Sequence, residues 1–117
     1  MAEEPNPRDA APFPYSGPQA MQAPIEAALR NVVDPEVALN IVDVGLVYAV
    51  TVSDGEVHVQ VTMTSAACPV TDVIVADIEA ELDRVAATDM RIRVDVVWEP
   101  PWTPERMSAR AKSVMGW

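Results

Sequence analysis

Leu46-Val47-Tyr48-Ala49-Val50-Thr51-Val52-Ser53-Asp54-Gly55-Glu56-Val57-His58-Val59-Gln60-Val61-Thr62-Met63 decides the fold. Asp54-Gly55 between two alternating runs is a two-residue hairpin signal, because such a turn needs positive φ at both central positions. Taken literally, the turn sets the register. Ser53 faces Glu56, and opposed residues have numbers summing to 109. Val52 then meets Val57, Val50 meets Val59, Tyr48 meets Val61 and Leu46 meets Met63 on an apolar face. Thr51 with His58, Ala49 with Gln60 and Val47 with Thr62 make the mixed face. A one-residue slip would exchange the faces, so the register is well specified. The lone His58 falls on the mixed face and reads as a solvated sheet residue.

Downstream, Met63-Thr64-Ser65-Ala66-Ala67-Cys68-Pro69-Val70-Thr71-Asp72 leaves the second strand and enters a helix expected over Pro69 to about Ala86. Pro69 suits the first helical position, which places Cys68 at or beside the N-cap. Unpaired N–H groups and the positive end of the dipole there favour thiolate over thiol. Thr64, Ser65 and Thr71 can add hydroxyl donors. From chemistry alone, Cys68 is either a reactive or metal-binding thiol or a small buried hydrophobe. Val70, Val73, Ile74, Ile78, Leu82 and Val85 form the expected buried stripe of the helix.

A third strand follows, with Ile92, Val94, Val96 and Trp98 alternating against Arg91, Arg93 and Asp95. If it runs parallel to the second, the connection is a right-handed crossover. Trp98-Glu99-Pro100-Pro101-Trp102-Thr103-Pro104 is rigid and extended. Its tryptophans either cover one end of the sheet or form an exposed aromatic patch. Thr103 before Pro104 signals a last short helix over roughly 104–114.

Upstream, Pro24 opens an expected helix with the stripe Ile25, Ala28, Leu29, Val32, Val33. Asp34-Pro35-Glu36 is a turn. Asn40-Ile41-Val42-Asp43-Val44-Gly45 leads towards the sheet, with Asp43 in an apolar run. A buried carboxylate needs partners. Asp43 either accepts backbone N–H groups of its own loop or faces the site near Cys68. Residues 1–22 hold five of the eleven prolines and no apolar period, so a disordered tail is expected there and a single domain over 23–117. The architecture is α+β: a two-layer α/β sandwich of order α-β-β-α-β-α, a small hairpin-based sheet with helices on one face.

The totals narrow the function. With 18 acidic and 8 basic residues the net charge is −10, which disfavours nucleic acid and anionic membranes. One cysteine rules out an internal disulfide and a four-thiolate zinc site within one chain. Glu3 and Glu4 stand where a secretory signal would be basic, and no apolar run reaches the ~20 residues of a membrane span. A reduced, cytoplasmic setting is expected.

Four markers in order, Asp34-Pro35-Glu36, Ile41-Val42-Asp43-Val44-Gly45-Leu46-Val47-Tyr48, the Cys68-Pro69 loop and Trp98-Glu99-Pro100-Pro101-Trp102, closely resemble the SufT/PaaD-like family of iron–sulfur cluster assembly domains. The resemblance covers about 24–115. It implies an accessory, non-enzymatic role in making or delivering clusters, with Cys68 as the functional thiol and Asp43 as the recurring polar position near it. It also implies assembly proteins and client apoproteins as partners. PaaD-type members serve an oxygenase and carry extra C-terminal cysteines, whereas this chain ends Ser113-Val114-Met115-Gly116-Trp117. That departure favours the Suf-associated type.

Iron and cluster sulfides prefer thiolates, and one chain offers one. A transient iron–sulfur cluster or iron on Cys68 must borrow ligands from a second protomer, a client, a small thiol, or oxygen groups such as Asp43. A homodimer would supply a second Cys68. A metal-free adaptor that docks clients is the alternative. A cysteine enzyme ranks third, since a nucleophilic thiol usually has a positioned base and His58 is expected away from the core.

Overall fold

Asp54 and Gly55 take φ of 51° and 73°, as the hairpin turn demands, in a computed structural model that describes residues 13–35, 37–64, 71–86 and 89–116. Strands β4 (Val47–Ser53) and β5 (Glu56–Val61) pair from Ser53↔Glu56 through Ala49↔Gln60 in the expected register. There the register shifts, and Val61 faces Val47 rather than Tyr48. Tyr48 is the extra residue of a β-bulge. The bulge turns Val47 onto the apolar face, where it is buried. It frees Tyr48, whose hydroxyl donates to the Pro100 carbonyl at 2.7 Å while Arg106 sits 4.4 Å over its ring. Leu46 and Met63 are no longer opposed; instead the Thr62 N–H donates to the Leu46 carbonyl.

The sheet has the order β1-β4-β5-β6, with β1 at Tyr15–Ser16 parallel to β4 and β6 at Arg91–Val96 parallel to β5. Helices α1 (Gln19–Arg30) and α3 (Thr71–Val85) pack on one face. Ile25, Leu29, Ile74, Ile78 and Leu82 meet Val50, Val52, Val57, Val59 and Val61 in a core sealed from solvent. Ile74, Ile78 and Leu82 repeat every four residues, the helical stripe that apolar burial requires. Val73 and Val85, expected on that stripe, are exposed, and Val70 lies outside the described residues.

Four departures matter. First, α1 begins at Gln19 rather than Pro24. Pro24 costs the bond to the Ala20 carbonyl, but both residues are exposed, so water can take that carbonyl. Second, residues 13–22, assigned to the tail, carry β1 and the start of α1, and Phe13 is buried. Third, Asn40–Gly45 does not run straight into the sheet. Val33–Asp34 (β2) and Leu39–Asn40 (β3) form a two-stranded ladder, and Ile41–Val44 makes a single turn, α2. Asn40 caps α2 by accepting from the Asp43 N–H, and Gly45 ends it at φ 85°, the left-handed position glycine serves.

Fourth, the terminal helix is split. Pro104–Arg106 is a 3-10 turn, and α4 spans Ala109–Met115. Ser108, not Thr103, caps α4, accepting from the Ala111 N–H at 3.1 Å. The two tryptophans behave differently. Trp102 packs against the core and donates from Nε1 to the Val44 carbonyl at 2.8 Å, while Trp98 is 44% exposed.

Candidate functional site

The strand β5 delivers its exit residues in a graded way. Thr62 and Met63 are buried and Thr64 is half-buried. Thr71 is half-buried at the start of α3. Ser65, Cys68 and Pro69 lie outside the described residues, and with them the expected cap geometry at the thiol.

Asp43 is buried and fully engaged. Its Oδ1 accepts from Arg30 Nη1 at 3.1 Å, and its Oδ2 accepts from Asn40 Nδ2 at 2.8 Å. Asn40 Oδ1 in turn accepts the Asp43 N–H at 2.9 Å, a reciprocal cap across one turn of α2. The Ser108 N–H donates to the Asp43 carbonyl at 2.8 Å. Burial pushes the Asp43 carboxyl up. Hydrogen bonds from Asn40, Arg30 and Ser108, with the charge of Arg30, outweigh it and hold the group below the usual carboxylate range. One side chain therefore joins α1, α2 and the start of α4. The carboxylate's partners are the side chains of Arg30, Asn40 and Ser108, not the backbone N–H groups of its own loop.

His58 sits on the outer face as expected, but it is paired. Its Nε2 lies 2.7 Å from Asp95 Oδ2, an oxygen that also accepts from Arg93 Nη2 at 3.2 Å. The chain order brings these together because β6 runs parallel to β5 with Gln60 beside Asp95 and His58 beside Arg93. Among the described residues no group of three or more His, Cys, Asp or Glu could hold a metal ion.

Two buried polar residues escaped the sequence reading. Asp34 is wholly buried within the β2–β3 ladder, and Thr62 is 1% exposed with its hydroxyl lacking a hydrogen-bond partner among the described residues. Asp34 reads as an ordinary turn residue before Pro35, and nothing in its neighbours signals burial. Thr62 belongs to the mixed face by alternation, and nothing in that pattern signals its burial.

Known proteins share both the sequence and this arrangement. The Fe-S protein maturation auxiliary factor YitW of Bacillus subtilis is 41% identical over 102 residues, covering 84% of this chain and 96% of the relative. The Fe-S protein maturation auxiliary factor SufT of Staphylococcus aureus is 40% identical over 89 residues, 73% of this chain and 97% of the relative. A crystal structure of a domain of unknown function, DUF59, from Bacillus anthracis superposes with a TM-score of 0.77 at 40% identity, covering 84% of this chain and 93% of that one. The family profile described as iron-sulfur cluster assembly protein matches residues 22–96, running from α1 to the last residue of β6, and the chain belongs to that family.

Proposed function

We propose that this protein is an accessory factor in iron–sulfur protein maturation that handles iron or a cluster transiently through Cys68. The observation that carries the reading is the position of the chain's one thiol. It falls within the family match over 22–96, in the connection between a buried strand end and a long helix. The described residues offer no metal group of their own. Cargo ligands would come from Cys68 and from a second molecule, an assembly protein or a client apoprotein. Few ligands from the carrier mean easy release, which suits delivery. Such chemistry requires a reducing, cytoplasmic setting and no catalytic turnover.

Thr64, Ser65 and Thr71 are assigned here as hydroxyl donors around the thiolate. Asp43 can join as a cargo ligand only by giving up Arg30 or Asn40, both within hydrogen-bond distance. Its main part is to tie α2 to α1 and to the start of α4.

Anaerobic reconstitution with iron and sulfide, followed by transfer to an apo-ferredoxin, tests the reading. Wild type should take up iron and raise the rate of cluster appearance in the acceptor. Cys68→Ser should fold normally and lose both. Equal uptake and transfer by Cys68→Ser would overturn the assignment. A metal-free docking role is the second reading, favoured by the exposure of Trp98. It gains if wild type binds an assembly protein while never retaining iron.

A further inference from the structure

We propose that the free edge of β6 pairs with β6 of a second copy, joining two four-stranded sheets into one. The strand ends the sheet, with β5 on one side and no strand on the other among the described residues. The Arg91 N–H donates to the Gly55 carbonyl and the Val97 N–H to the Val61 carbonyl. In a parallel ladder, alternate residues face alternate sides. Arg91, Arg93 and Asp95 therefore spend their backbone groups on β5. Ile92, Val94 and Val96 aim theirs outward, where no described residue takes them. An extended edge of this kind is a template for another strand.

The side chains select the occupant and the register. A two-fold axis normal to the sheet keeps each face together, so opposed residues must share a face. Centred on Val94, Arg93 stands opposite the partner's Asp95 and Asp95 opposite the partner's Arg93, while Ile92 meets the partner's Val96 on the helix side. All the outward N–H and C=O groups then find partners. Centred on Arg93, the two Arg93 side chains meet at the axis even though Arg91 then faces the partner's Asp95. Centred on Asp95, two carboxylates meet at the axis; centred on Ile92, Arg91 opposes the partner's Arg93. Only the Val94 register opposes unlike charges alone within the strand. Opposed unlike charges favour a register and opposed like charges disfavour it. Arg93 and Asp95 are both well exposed, with side-chain exposures of 61% and 40%, so each can reach across the seam. An acidic protein gains here from a strand carrying two of its eight basic residues beside one carboxylate.

Sedimentation velocity on the full chain, from micromolar to millimolar, tests this. Wild type should show a reversible monomer–dimer equilibrium. Val94→Pro removes an outward N–H and leaves the β5 ladder intact, since proline is tolerated on that side of an edge strand. Losing the paired hydrogen bonds at the axis should weaken the dimer roughly 30-fold, with an unchanged circular dichroism spectrum. Arg93→Asp and Asp95→Arg should each be monomeric, and an equimolar mixture should form a heterodimer. A wild type that stays monomeric throughout, a dimer indifferent to Val94→Pro, or mixed variants that fail to associate would each overturn the proposal. None of these readouts involves Cys68, so failure here leaves the maturation role standing.

Discussion

Arg30 Nη1 on α1 stands 3.1 Å from Asp43 Oδ1 on α2, thirteen residues further along the chain. This contact fixes the end of α1 against the turn that feeds the hairpin. Arg30 also bonds Glu26 one helical turn back, so its fork is held before it meets Asp43. Asp43 is 8% exposed at its side chain and Arg30 is 35%. The pair is therefore more than a surface bridge and less than a sealed one.

Asp43→Ala should destabilise the fold by about 2 kcal/mol, since it strands Asn40 and Arg30 donors and unties α2. Arg30→Ala should cost less, about 1 kcal/mol, because its head is partly solvated. The pH dependence follows from the depressed Asp43 carboxyl. Its stabilisation is present above the unfolded value of about 3.9 and is lost as pH falls through the folded value. Urea unfolding of wild type and Asp43→Asn should show a gap that is constant well above the unfolded carboxylate value of about 3.9 and narrows as pH falls below it. A gap that widens in acid would contradict the network.

Thr62→Val should stabilise the protein. The hydroxyl is buried without a hydrogen-bond partner among the described residues, and burying such a group costs about 1–3 kcal/mol. Valine keeps the shape and the β-branch, so an increase of about 1 kcal/mol is expected. Denaturant midpoints decide it. A lower midpoint for the valine variant would mean that the hydroxyl has a partner in solution.

Much of this fold was legible because local chemistry and tertiary packing agree. Asp54-Gly55 names the turn, and the alternation on either side names the faces, so the register from Ser53↔Glu56 to Ala49↔Gln60 follows from the residues. Failures occur where a nonlocal contact overrides the pattern. Tyr48 reads as an inward residue, yet a bond to Pro100, 52 positions away, goes with its displacement into a bulge. Ile41–Val44 reads as an approach to a strand because it is apolar. The deciding signal was the pair Asn40 and Gly45, a cap and a left-handed stop around a single turn. Pro24 reads as a helix start because no residue on its own announces that α1 can tolerate it inside. In the candidate site, Asp43 stood out as a polar residue in an apolar run. Its partners Arg30 and Ser108 could not be foreseen, lying 13 positions before it in one case and beyond the sheet in the other.

Two glycines with similar backbone separate strain from space. Gly45 has φ 85°, and a Cβ there would collide with the Arg106 carbonyl. Gly45→Ala should therefore cost roughly 3 kcal/mol, combining the left-handed penalty with overpacking. Gly55 has φ 73° but open space around it. Gly55→Ala should cost only about 1 kcal/mol, the backbone term alone. Thermal unfolding of the two variants side by side checks the ordering, and equal losses would show that the Arg106 segment moves aside freely.

Trp102 and Trp98 sit four residues apart in one rigid segment and should respond oppositely to substitution. Trp102→Phe removes the donor to the Val44 carbonyl, whose residue is wholly buried, and leaves that acceptor unmet at a cost of about 1–2 kcal/mol. The ring volume largely remains, so the loss isolates the hydrogen bond rather than packing. Trp98→Ser removes a ring that is 44% exposed, and its effect on stability should stay within about 0.5 kcal/mol. If the segment docks a partner, the order reverses in a binding assay, because exposed aromatics supply interface contact area. Titration calorimetry against an assembly protein, run on both variants, should then show the larger loss of affinity for Trp98→Ser. A Trp98→Ser variant that binds like wild type would remove this surface from the docking reading and leave the Cys68 loop as the place where partners meet the protein.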